Sequence, residues 1–144
     1  MPNKEAHLAA ALENQKVIDF LCNKIDDHPG WVVTVAFYKA LHVVEAMFAE
    51  GPSMPGHTDD HKTRNAILKD KRFSHIWKNY RPLWTASLIA RYLRENTNSP
   101  TYDIFSSYMP PAIVKNLVLG HYLKQVEKSA GNLMGDPNLS EKIN

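Results

Sequence analysis

The longest apolar stretch in the chain runs from Trp31 to Glu50 and contains no glycine or proline. Its opening residues, Trp31-Val-Val-Thr-Val-Ala-Phe-Tyr38, are β-branched and aromatic and favour a strand locally. The run is far too long for an ordinary strand, so the pattern predicts one helix buried around most of its circumference. Pro29-Gly30 precede it, Asp27 or His28 can cap it, and Gly51-Pro52 end it. Thr34, Tyr38, His42 and Glu45 recur at steps of four, four and three, which places them on one polar stripe.

The flanking pattern supplies the partners of this helix. Leu8, Ala11, Gln15, Ile18, Cys22 and Ile25 alternate steps of three and four and predict a helix over 4–26. The short 26–30 connection favours antiparallel packing on the central helix. After the Pro/Gly-rich loop 51–56, Thr58 is expected to cap a short helix with Asp59 and Asp60 in its first turn. A further helix is expected from about Ser74 to Arg94, with Pro82 either kinking it or marking its true start. Beyond Pro82, Leu83, Ala86, Ala90 and Leu93 face the core, while Trp84, Leu88 and Arg91 share a strip that Trp77 and Arg81 extend.

Residues 95–111 read as a long loop whose Tyr102, Ile104, Phe105 and Tyr108 fold back on the bundle. Pro111 opens a last helix to about Ala130 with two apolar arcs, Ile113/Val114/Leu117/Val118 and Leu119/Tyr122/Val126. The second arc, if exposed, is a dimerisation surface. Residues 131–144 read as a frayed tail. The fold class is all-α: an up-and-down bundle of four to five antiparallel helices in one domain, 1–144.

Composition alters this picture in two respects. A lone cysteine, Cys22, excludes an internal disulfide and multi-cysteine metal clusters, and suits a reducing, cytoplasmic setting. No signal peptide is read at the N-terminus. Lys39, His42 and Glu45 at the middle of the apolar run argue against a membrane span. The net charge is only +2, yet residues 62–94 carry nine Lys/Arg against Asp70 alone. That segregation, interleaved with Phe73, Trp77, Tyr80, Trp84 and Tyr92, is the composition that holds single-stranded nucleic acid. Arg64, Arg81, Trp84, Arg91 and Trp77 are the candidate RNA- or nucleotide-binding residues.

Titratable groups give the remaining candidates. His61 and Arg64, one turn apart, can grip a phosphate or act in proton transfer, with His42 as an auxiliary base. The bland alternative is an Arg64–Asp60 surface pair. Tyr38, His42 and Glu45 form a polar seam in which Glu45 is expected to hold Arg91 or Arg64 across the bundle. His57-x3-His61 with Asp60 has zinc-ligand spacing, but nothing fixes a third ligand such as His42 or His121. No metal and no cofactor are therefore assigned.

Taken together, Trp31-x4-Ala36-Phe37-Tyr38-x-Ala40-Leu41-His42-x2-Glu45-Ala46 resembles the second-helix signature of HEPN domains. His61-x2-Arg64 and Tyr80-x2-Leu83-x3-Ser87-x3-Arg91-Tyr92 resemble the signature that follows it in uncharacterised members, so the likeness spans roughly residues 5–130. The resemblance implies an α-helical bundle, usually dimeric, of prokaryotic toxin–antitoxin and defence systems, acting on or binding RNA or nucleotides. Ribonuclease members carry Arg followed four to six residues later by His. None of Arg64, Arg72, Arg81, Arg91 or Arg94 has a histidine at that spacing. The expectation is accordingly a homodimeric RNA- or nucleotide-binding bundle, not an enzyme of the standard kind. The alternatives are a module docking an antitoxin-type subunit, and an atypical metal-independent ribonuclease built on His61 and Arg64.

Overall fold

The computed structural model describes residues 2–144, and among them every regular element is helical. α1 spans Lys4–Cys22, opened by Asn3, whose side chain accepts the Ala6 amide at 2.9 Å. α2 spans Pro29–Phe48 with Pro29 in its first turn, where the missing N–H costs nothing. The two helices run antiparallel. Contacts rise along α1 as they descend along α2, from Lys4–Glu50 through His7–His42 to Gln15–Lys39.

α2 is the axis of the domain, with Val33, Ala36, Phe37, Ala40, Val43, Val44 and Met47 all fully buried. It is also the one helix here long and apolar enough to cross a membrane, yet 72% of that window is buried inside the protein. α3 (His61–Leu68) follows the 49–60 loop, and α4 (Ser74–Tyr92) follows a 3₁₀ turn, Lys71–Phe73. Pro82 lies within α4 and does not begin it. The lost backbone bond is offset by the packing of Ile76, Tyr80, Leu83 and Ala86 against the core. Leu93 then takes a left-handed conformation (φ 59°), and its carbonyl accepts the Tyr102 amide at 2.8 Å, which closes the following loop.

That loop carries α5 (Phe105–Tyr108) and folds back as expected, with Phe105 buried and Tyr102 edge-on to Tyr108. The last rod departs from the expected winding. α6 (Pro111–Ile113) passes into a π-helical stretch, Val114–Leu123, and then α7 (Lys124–Leu133). The wider stretch turns Val114, Val118, Leu123, Val126 and Ala130 to the core, a sequence with one step of five. Leu119 and Tyr122 pack against that core and Val126 is buried, so the expected second arc is no free dimerisation surface.

The 131–144 segment is likewise not frayed. Gly135 (φ +71°) turns the chain into α8 (Leu139–Lys142), and Leu139 and Ile143 are buried. Gly131 is required by this return: a Cβ there would lie 2.6 Å from the Asp136 carbonyl oxygen.

Lys39, at the middle of the apolar run, is fully buried. Its Nζ donates to Glu127 Oε1 at 3.1 Å, Gln15 Oε1 at 2.6 Å and Asn144 Oδ1 at 3.1 Å. Burial pulls the Lys39 ammonium below the usual lysine range, and Glu127 counteracts it. Removing one member of such a pair strands the other charge in the core. Glu127→Ala should lose about 3–5 kcal/mol in urea unfolding, whereas the double change Lys39→Met/Glu127→Leu should match or exceed the parent.

Candidate functional site

Glu45 stands on the buried face of α2 and needs donors. The 49–60 loop supplies two. It turns at Gly56 (φ +89°), whose amide donates to the Phe48 carbonyl, and lays Thr58 over the carboxylate. The Thr58 amide donates to Glu45 Oε2 at 2.9 Å, and the Thr58 hydroxyl donates to Oε1. Thr58 is thus not the cap of α3. Asp60 is, accepting the Thr63 amide at 2.7 Å.

α3 delivers the third donor. Arg64 Nε reaches Glu45 Oε1 at 2.7 Å with both side chains almost wholly buried. The expectation that Glu45 holds an arginine across the bundle is met by Arg64 and not by Arg91. The same pairing removes Arg64 from the solvent-facing RNA contacts, and it does not pair with Asp60. Its Nη1 turns to His61 Nδ1 at 3.1 Å. Arginine only donates, so His61 accepts at Nδ1 and carries its proton on Nε2.

His61 lines the groove between α3 and α4, a hollow of about 640 Å³ that also presents Lys62, Asn65, Lys69, Trp77, Arg81, Trp84 and Thr85, with Glu95 of the following loop also in its lining. A neighbouring hollow of about 510 Å³ shares Trp77, Arg81, Thr85 and Glu95 and adds Lys78, Pro82 and Tyr108. Of the sequence candidates, Trp77, Arg81, Trp84 and His61 therefore meet in one place. Lys62, Lys69, Lys78 and Arg81 are in no ion pair among the described residues. Lys69 Nζ sits 5.4 Å from the Trp77 ring centroid, a cation–π contact. Trp84 Nε1 and Asn65 Oδ1 are buried in the groove wall without a protein hydrogen-bond partner.

Arg91 does not join them. It lines another hollow with Trp31, Thr34 and Phe105, its guanidinium 6.0 Å from the Tyr38 ring centroid and its Nε donating to the Ser87 carbonyl.

On the far side of Glu45 lies a cluster that the sequence reading did not assemble. His7 Nδ1 is 3.1 Å from His42 Nδ1, and His7 Nε2 is 3.1 Å from His57 Nδ1. His57 Nδ1 also lies 3.2 Å from Glu45 Oε2, and its Nε2 lies 3.2 Å from Asp59 Oδ1. Of the seam residues His42 and Glu45 belong here, while Tyr38 packs on Phe37. His57 and His61 part company: His61 faces the groove, His57 the cluster. His121 is exposed beside Tyr122, and Asp60 is occupied as the α3 cap. His7 was missed, although it precedes buried Ala11 by one helical turn and so falls on the inward face of α1.

No family model, curated protein or solved structure matches this chain.

Burial pulls His7, His42 and His61 below the ordinary histidine value of 6.5; His42 and Arg64 add to this at His7 and His61 respectively, while Glu45 opposes it at His7 and His42. The unfolded chain takes up protons from about pH 6.5 downward, whereas these folded imidazoles resist them. Their contribution to stability is complete above that pH and is lost as pH falls through the folded values. Denaturant midpoints measured across this window should fall with pH, and His42→Gln should make the decline shallower.

Proposed function

We propose that this chain is a HEPN-like helical bundle that binds RNA or a nucleotide through the groove between α3 and α4. The reading extends to a prokaryotic toxin–antitoxin or defence setting, a homodimer and an antitoxin-type partner, without the standard ribonuclease motif. One observation carries it: Lys62, Lys69 and Arg81, in no ion pair among the described residues, share a groove with Trp77 and Trp84, where Glu95 is the one acid in the lining. Cations neutralise phosphates while aromatic faces accept bases, and that combination is sequence-tolerant. Neutral His61 adds its Nε2–H.

The measurement is fluorescence anisotropy of a labelled single-stranded oligoribonucleotide over a salt series. Three phosphate contacts predict a slope of about −2 in log K against log salt. Trp84→Ala or Trp77→Ala should weaken binding by about 1–3 kcal/mol for each base stacked, and Arg91→Ala should leave it unchanged. Absence of binding at low salt ends this reading.

The Glu45–Arg64–His61 chain of contacts favours a second reading, a metal-independent ribonuclease built on His61 and Arg64. It requires RNA cleavage in excess chelator that His61→Ala abolishes while the helical circular dichroism is retained. Intact RNA after incubation with the pure protein excludes it.

A further inference from the structure

His7, His42 and His57 do not line the α3–α4 groove, and the geometry of their cluster has a use of its own. His7 from α1, Glu45 from α2 and His57 from the loop bring ligand atoms within 4.8 Å of one another, with His57 Nδ1 lying between His7 Nε2 at 3.1 Å and Glu45 Oε2 at 3.2 Å. Zinc-class ions take nitrogen and carboxylate ligands at about 2.0–2.2 Å, so tetrahedral neighbours stand about 3.3–3.5 Å apart. Two of the three edges here, at 3.1 and 3.2 Å, are within a few tenths of an ångström of that spacing.

The second polar atom of each ligand is already held. His7 Nδ1 meets His42, His57 Nε2 meets the Asp59 carboxylate, and Glu45 Oε1 takes Arg64 and the Thr58 hydroxyl. Outer partners of this kind fix a ligand's tautomer and orientation; Glu45 Oε2 itself also accepts the Thr58 amide at 2.9 Å, which leaves its second lone pair for an ion. Protons can fill the same contacts only if His57 donates to both Glu45 and Asp59 as an imidazolium, with His7 Nε2 competing for the Nδ1 proton. A divalent ion in place of that proton gives every ring nitrogen a single role. Glu45 and Asp59 favour the ion and the Arg64 guanidinium opposes it, so donor geometry must carry the affinity.

We propose that His7, His57 and Glu45 form a two-histidine, one-carboxylate site for a divalent transition ion of the zinc class, with His42 and Asp59 as its outer partners. The donor set selects such ions over magnesium and calcium. Three protein ligands leave a fourth position for water or a substrate atom, the arrangement of reactive zinc rather than closed structural zinc. The ion would also tie α1 to the loop that seats Thr58.

Chelator-stripped full-length protein should bind one equivalent of Co²⁺ with the visible absorption of a tetrahedral or five-coordinate ion. Zn²⁺ should displace it and raise the melting temperature, and Mg²⁺ should do neither. His57→Gln, at a partly exposed loop position, should abolish the cobalt spectrum. His42→Gln should weaken affinity roughly 10- to 100-fold, and His121→Gln should leave it intact. His7→Gln should behave as His57→Gln, and if that helix variant does not fold, His57→Gln decides. Failure of the parent to bind stoichiometrically, retention of the spectrum in His57→Gln, or its loss in His121→Gln overturns the proposal.

Discussion

The buried pair of Glu45 and Arg64 is the contact on which this molecule turns. Two ions taken from water cost several kcal/mol each, and only close geometry with every remaining lone pair satisfied offsets that. Here the offset comes from three donors on two pieces of chain: the Arg64 guanidinium on α3, and the amide and hydroxyl of Thr58 in the loop. The loop cannot lie elsewhere without orphaning the carboxylate, and α3 cannot shift without orphaning the guanidinium. One interaction therefore seats a Pro/Gly-rich loop that has little packing of its own.

The two oxygens of Glu45 divide the surroundings. Oε1 looks toward α3, where Arg64 passes the orientation on to His61 and the basic groove. Oε2 looks toward the loop and the imidazoles of His57 and His7. Two regions of different chemistry thus share one structural carboxylate, and they are coupled through its placement rather than through direct contact. A change at Glu45 would disturb both together, which is why variants at His57 and at Trp84, each belonging to one region alone, are the informative ones.

The bundle was legible because α2 is apolar over its whole length and its neighbours keep three-four periodicity. Its polar seam was legible too, since a buried carboxylate requires a partner. Choosing between Arg64 and Arg91 was beyond sequence, because the choice depends on where residues 51–60 lay α3. The same loop decides the capping. Thr58 and Asp60 are both good caps in isolation, and the demand of buried Glu45 for donors draws Thr58 inward and leaves α3 to Asp60. The groove was half legible: Trp77, Trp84 and Arg81 share a strip of α4, while Lys62 and Lys69 reach it from α3. His7 joins the cluster from 35 residues before His42 and 50 before His57, contacts no local pattern contains. The tail was misread because Leu139 and Ile143 are two apolar residues in a polar setting, and only the close approach at Gly131 gives them a surface to cover.

The π-helical stretch between Val114 and Leu123 sets the rotational phase of everything after it. Ordinary α winding from Val114 would turn different residues of α7 inward, and Glu127 would not face Lys39. The identity of the buried anion is therefore a matter of chain length as much as of side-chain chemistry. Insertions and deletions in this short span act like turning a key in a lock: a single residue gained or lost rotates the C-terminal quarter of the protein against its own axis, while conservative exchanges there leave it in place.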